Sequence, residues 1–405
     1  MKNREELAAL RRRAESGLRE VLDFFLTHGM DDAGGFYGVV GRDLVPDPEA
    51  NRSLVLIARL LWSFAAGYRV LGDERYLAAA RRAFAYLERC FIDPEYGGAY
   101  WGVRADGTPH ETLKQTYGES FVIYGASELY RAAGDPAALA LAKNVYGLLE
   151  EHVLDRENGG YFECYDRKWN RLDRSFNIPD TRRASKALNT HLHLIESYTN
   201  LMRVWDDPAL VSRVGELIDI MSHKLLDREI CHYKPYMTDD WQNAGQLVSF
   251  GHDIEGAWLL TEAAEAYGDA ALLAEARPLS VKIADACARG VDPESGGMWS
   301  ERDAAGDIDR SMVWWVQAEA VVGFFNAWQL TGEARYLALS RGVWDYIDRC
   351  IIDREGGVYR DWLSDGAASV REPVNLRTIN PWKTPYHNGR MYMEIYERCS
   401  ALLEE

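Results

Sequence analysis

At 405 residues the chain is long enough to bury a large core, and 47% hydrophobic and 12% aromatic content, with 13 Trp, supplies one. A formal charge of -17 argues against nucleic acid or an anionic membrane as partner, because both need a basic face. Six scattered cysteines (Cys90, Cys164, Cys231, Cys287, Cys350, Cys399) form no Cys-x-x-Cys pair and read as reduced thiols, neither a disulfide frame nor a zinc site.

The N-terminal stretch is charged and lacks an apolar signal core, and no stretch reads as long and apolar enough to span a bilayer. A soluble cytoplasmic protein, monomeric or weakly dimeric, is the expectation.

Apolar residues recurring at helical spacing predict twelve helices, at 4–28, 50–71, 74–91, 112–133, 136–153, 181–205, 208–225, 252–267, 270–289, 310–331, 334–351 and 385–403. A loop of acidic residues, paired glycines and an aromatic or β-branched residue precedes each even-numbered helix. Its copies begin at Asp32, Asp93, Asp155, Asp292 and Asp353, with a degraded copy, Asp227-Arg228-Glu229-Ile230-Cys231-His232-Tyr233, where one is missing. A period of about 60 to 70 residues over a whole chain means repeated supersecondary units. Within a unit, short Gly-acid turns join the helices at Gly72-Asp73, Gly134-Asp135, Gly268-Asp269 and Gly332-Glu333. Odd helices are amphipathic, whereas even helices such as Leu54 to Phe64 are apolar on most sides, as buried helices are. Six buried and six outer helices predict an all-α (α/α)6 barrel, a single domain over 1–405, whose hollow opens where the inner helices begin.

Polar residues on buried helices need a partner or a function. The second helix carries Arg59, which alone would read as a structural ion pair. The fourth offers Lys114, Tyr117 and Glu119, which alone would read as a solvated first turn. The sixth carries Asn189-Thr190-His191-Leu192-His193. His-x-His on a helix splays about 200°, so a metal chelate is rejected. Asn189 and His193 share a face, Glu196 can orient His193, and His191 is assigned to the core. His252 lies in the first turn of the eighth helix, where the dipole favours a neutral base, with Glu255 on its face. The tenth helix gives Trp314, Trp315, Gln317 and Glu319, and the twelfth, after Trp382, begins with His387. His28, His110, His152, His223 and His232 read as surface groups. The excursion Tyr236 to Gln246, after the degraded loop, is where substrate selection is expected.

Two histidines on different helices, with an Arg and a third His to steady an oxyanion, suit proton transfer at a carbon beside a carbonyl, with no metal or redox cofactor. Two Trp suit stacking on a sugar. Glycoside hydrolysis, which this barrel also hosts, needs two carboxylates flanking the bond.

Four stretches, in order, carry a resemblance: Asn189-Thr190-His191-Leu192-His193 with Glu196 to Leu201, Ser249-Phe250-Gly251-His252-Asp253-Ile254-Glu255, Trp314 to Ala320, and Pro385-Tyr386-His387-Asn388-Gly389-Arg390. Over essentially its whole length the chain resembles the N-acylglucosamine 2-epimerase superfamily, most of all its cellobiose 2-epimerase branch. The resemblance implies conversion of reducing-end glucose to mannose in β-1,4-linked disaccharides such as cellobiose and lactose. It implies His252 and His387 as the acid/base pair, one of them also assisting ring opening, with Arg59 and His193 stabilising a cis-enediolate. Tyr117, Asn189, Glu255, Trp315 and Trp382 would bind the sugar. Other members of the superfamily act on free mannose as 2-epimerases or as mannose–fructose isomerases, which stands as the alternative.

Overall fold

The structure is a computed structural model describing residues 2–355, 358–362 and 377–404. The paired glycines of the last loop, Gly356-Gly357, lie outside the described residues. The described residues form twelve α-helices: α1 Lys2–His28, α2 Leu54–Leu71, α3 Glu74–Tyr86, α4 Thr116–Ala133, α5 Pro136–His152, α6 Leu188–Met202, α7 Pro208–Asp219, α8 Phe250–Tyr267, α9 Ala270–Cys287, α10 Trp314–Thr331, α11 Ala334–Tyr346 and α12 His387–Glu404. Even helices pack on one another in sequence, and α12 closes the ring against α2. Each even helix also packs on the odd helix that follows it, and α1 covers α12. This is the (α/α)6 barrel.

The short turns form as the sequence dictates. Gly72, Gly134, Gly268 and Gly332 have φ of +68°, +68°, +80° and +72°, a region that costs an L side chain strain. Asp73, Asp135 and Asp269 then accept from the first backbone N–H groups of the next helix, while Glu333 sits in the same place without such a bond.

Three expectations need correction. First, α2 does have the length and apolar composition of a membrane span, but most of it is buried inside the ring. Second, most inner helices begin two to seven residues later than the periodicity predicts, and α8 begins two earlier. The residues before four of them are drawn into two-residue strands instead. Arg52–Ser53 pairs with Gly102–Val103, Lys114–Gln115 with Cys164–Tyr165, Lys186–Ala187 with Tyr236–Met237, and Val248–Ser249 with Glu301–Arg302. Each pairing ties the entry of one inner helix to the loop before the next, so the rim is stitched around the ring. Lys114 is therefore a buried strand residue near Asp93, not part of a solvated turn, and Tyr117 and Glu119 are buried with it. Third, His232 is buried, because its Nδ1 bonds Asp253 Oδ2 at 2.7 Å. The outer helices α3, α7 and α11 reach their expected ends through a widened π-helical last turn.

The paired-glycine loops are pinned by the inner helices. Ala99 N–H donates to Glu119 (2.8 Å), Tyr161 N–H to His191 Nε2 (3.1 Å), Tyr233 N–H to Asp253 (2.8 Å) and Met298 N–H to Gln317 (2.7 Å). Each acceptor is the fourth residue of its helix. In the degraded copy Cys231 keeps the left-handed turn at φ +56°. His191, whose Nδ1 bonds Ala187 O at 2.8 Å, is a satisfied core group, as read from the sequence.

Gln317 also donates through Nε2 to Met298 O at 2.7 Å. Gln317→Leu leaves a buried N–H and a buried C=O without partners, at about 1–3 kcal/mol each. The expected result is a lower urea midpoint with an unchanged slope; an unchanged midpoint would show that the pin carries no stability.

Candidate active site

The ring encloses a cavity of about 250 Å³ at the end where the inner helices begin. It is lined by Arg59, Tyr117, Asn189, His193, His252, Glu255, Trp315, Trp382 and His387, the residues to which the resemblance gives catalytic or sugar-binding roles, together with Trp314; Lys114, Glu119, Glu196, Gln317 and Glu319, also noted in the sequence, do not line it. Their placement follows the helical repeat. Tyr117, Asn189 and Trp315 are second residues of their helices, and Arg59, His193 and Glu255 are sixth residues. These positions lie on the face towards the ring axis, offset from the fourth residues that hold the loops.

Three imidazoles line the cavity, each held through Nδ1. His193 Nδ1 meets Glu196 at 3.1 Å, His387 Nδ1 meets Glu319 at 2.7 Å, and His252 Nδ1 meets Ser249 Oγ at 2.8 Å. A carboxylate only accepts, so His193 and His387 carry their proton on Nδ1 and leave Nε2 free. Trp315 stands between His252 and His387, with ring centroids 4.8 and 5.4 Å away. Burial lowers the pKa of His252 to about 4, with a further push from His193. Burial first, then Arg59 and Arg390, hold His387 well below the usual imidazole range. Both are neutral bases at pH 7, and for His252 burial is the principal cause where a helix dipole was expected.

Beneath the cavity lies a group that local spacing did not reveal. Arg390 bonds Glu196, Glu255 and Tyr386, and reaches Glu319 at 2.6 Å. Glu319 also accepts from Trp258 Nε1 (3.0 Å), and Tyr386 donates to Glu196 (2.5 Å). Burial would raise Glu196, but Arg390 and His193 outweigh it and hold the carboxyl at about 2. Glu255 is pushed up to about 7 by burial and by Glu319, against the pull of Arg390. Glu255 therefore pairs with Arg390 and not with His252, as its spacing had led us to expect. Glu255, Glu319 and His387 present ligand atoms within 4.8 Å of one another. Arg390 Nη2 bonds both of those carboxylates, so a guanidinium already stands where a cation would be held.

Arg59 is buried yet has no ion pair among the described residues, contrary to its simplest reading. Its Nη2 donates to Tyr117 OH at 2.7 Å, and its guanidinium lies over the rings of Phe121 and Tyr386 at 4.4 and 4.6 Å. Asn189 Nδ2 donates to Asn177 at 2.9 Å. At the mouth Trp382, 43% exposed, joins Phe176 (5.3 Å between centroids) and Trp101 (6.3 Å) in an aromatic wall. Sequence reading missed Trp101 and Phe176, since both sit on loops whose fold it did not predict. None of residues 236–246 lines this cavity; Asn243, Gly245 and Gln246 line a second one.

Comparisons with known proteins agree with this architecture. A model of the N-acylglucosamine 2-epimerase (GlcNAc 2-epimerase) family matches residues 35–387, an interval holding every lining residue. The cellobiose 2-epimerase of Bacteroides fragilis is 39% identical over 381 residues, covering 93% of this chain and 95% of that protein. The structure of cellobiose 2-epimerase from Bacillus thermoamylovorans B4167 matches with a TM-score of 0.89 at 34% identity, covering 96% of this chain and 100% of the other. The D-mannose isomerase of Thermobifida fusca is more distant, at 26% identity over 67% of each protein. A barrel whose hollow is lined by three imidazoles and an unpaired guanidinium, matched along nearly its full length, belongs to the N-acylglucosamine 2-epimerase family, and the chain is a carbohydrate epimerase.

Proposed function

We propose that the enzyme epimerises C2 of the reducing-end sugar of β-1,4-linked disaccharides such as cellobiose and lactose, interconverting glucose and mannose. The observation that carries this reading is the pair of neutral imidazoles, His252 and His387, flanking Trp315 in a cavity that also holds the uncompensated charge of Arg59. In the open-chain sugar one imidazole Nε2 removes the C2 proton, and the electron pair passes to the C1 carbonyl as a cis-enediolate. Arg59 and His193 stabilise the oxygens O1 and O2. The first imidazolium gives its proton up to solvent, the other imidazole takes one from solvent and delivers it to the opposite face of C2, and the carbonyl reforms. Tyr117, Asn189, Glu255, Trp315 and Trp382 orient the sugar. The disaccharide preference is supported by the aromatic wall of Trp101, Phe176 and Trp382, which offers stacking surface outside the catalytic hollow, and by the names of the nearer relatives. Return of the proton to C1 would give a ketose, the chemistry named for the D-mannose isomerase relative.

In heavy water the enzyme should place deuterium at C2 of cellobiose. His252→Ala and His387→Ala should each slow this exchange by about 10²–10⁴-fold with unchanged circular dichroism; a variant that keeps its exchange rate would lose its assigned role. Because both imidazoles are neutral until strongly acid pH, protonation removes the base only there. The acid limb of kcat/KM should therefore fall near pH 4, where His252 titrates, and a limb near the ordinary histidine value would contradict it. Turnover of cellobiose, lactose, mannose and glucose, with epimer and ketose resolved, decides the substrate. Faster turnover of free mannose, or fructose as main product, would replace the disaccharide reading with the monosaccharide one.

A further inference from the structure

A second cavity, of about 360 Å³, lies over the degraded loop and the hairpin that follows β-pairing of Val248–Ser249 with Glu301–Arg302. In the other repeats the residue before the pinned backbone N–H is a glycine: Gly98, Gly160 or Gly297. Here it is His232, which lines the cavity. Asp253 holds its Nδ1 at 2.7 Å, leaving Nε2 as the free ring nitrogen of a side chain 4% exposed. Arg302 and Lys234 line the same cavity, and neither side chain makes a hydrogen bond or ion pair among the described residues. Two cations without a direct ion pair among the described residues, Arg302 near Asp253 and Lys234 near Asp227, stand out in a chain of charge -17. The two acids there each also accept backbone hydrogen bonds. Asp227 accepts from Glu229 N–H (3.0 Å) and Ile230 N–H (3.4 Å), and Asp303 from Ala305 and Asp307 N–H groups (both 2.9 Å).

We propose that this cavity is a binding site for a phosphate group, carried by a small polyol or sugar. Arg302 offers a planar fork that matches phosphate oxygens, and Lys234 adds a point charge. His232 Nε2 donates when the ring is protonated and accepts from a hydroxyl when it is neutral. The remaining acceptor capacity of Asp227 and Asp303 and the Gln246 amide suit the hydroxyls of an attached polyol, and the cavity is larger than a phosphate alone requires. The site is distinct from the hollow of the barrel, with which it shares no lining residue. Their nearest connection is through α8, where Asp253 follows His252.

Calorimetric titration of the full chain with inorganic phosphate and with glucose 6-phosphate tests this. Binding in the range of about 0.1–1 mM is expected, weakened at least about tenfold in the Arg302→Ala/Lys234→Ala variant, which should keep its C2 exchange activity. Tighter binding of the sugar ester assigns the site to a phosphorylated polyol; equal binding assigns it to the free ion. Either supports a phosphate site. No binding of either at about 10 mM, unchanged binding in the double variant, or displacement by cellobiose would overturn it. None of these outcomes depends on whether the barrel hollow performs the proposed epimerisation.

Discussion

One buried guanidinium balances three buried carboxylates, and the inner face of the barrel depends on it. Arg390, from α12, bonds Glu196 of α6 and also Glu255 and Glu319, the sixth residues of α8 and α10. A carboxylate without a partner at that depth costs several kcal/mol or takes a proton. Glu196, with the strongest cationic support, stays ionised, whereas Glu255 is pushed up to about 7. Because Glu196 holds His193 and Glu319 holds His387, the tautomers of two imidazoles that line the cavity hang from the same cation. The network also joins four inner helices, α6, α8, α10 and α12, so the geometry of the hollow and the charge balance beneath it are one constraint.

Around that network the helical repeat separates two tasks by phase. The fourth residue of α4, α6, α8 and α10 turns towards the rim and accepts the backbone N–H of a loop, whether it is Glu, His, Asp or Gln. The second and sixth residues turn towards the axis and line the hollow or reach the Arg390 network. Two residues of helix are about 200° of rotation, which accounts for how neighbours such as His191 and His193 have unrelated surroundings. The polar residues that looked misplaced on buried helices are thus of two kinds, one holding the mouth open and one facing into it.

This division sets what could be read from the sequence. Helical periodicity, the Gly-acid turns and the recurring loop are local, and they suffice for twelve helices in two rings. The residues lining the hollow were legible because an inner helix apolar on most sides makes any polar residue conspicuous. Partner choice was not, since it depends on the register between helices. The i,i+3 spacing correctly pairs Glu196 with His193, but the same spacing fails for Glu255 and His252, because Arg390 arrives from another helix and claims the carboxylate. Ser249, which holds His252, lies three residues before it and outside the helix that the periodicity predicts to begin at 252. His232 looked like a surface group on a loop, and only the placement of Asp253 on the next helix shows why it is buried.

The depressed basicity of the two histidines bears on how the proposed reaction can proceed. A base with a pKa near 4 is poorly matched to a carbon acid, and moving a proton from C2 to imidazole creates an imidazolium and an enediolate in a buried site. The pair is neutral overall, so its formation brings no net charge into the hollow. What remains is to stabilise the enediolate in place, and Arg59 is suited to that because no carboxylate among the described residues claims it. Among the described residues, aromatic faces and a tyrosine hydroxyl hold its guanidinium, and its Nε has no partner. Had Arg59 been compensated in the way Arg390 is, its charge would already be spent in the resting enzyme. The contrast between one arginine surrounded by carboxylates and another surrounded by rings is therefore what lets the same hollow be rigid and still receive a developing negative charge.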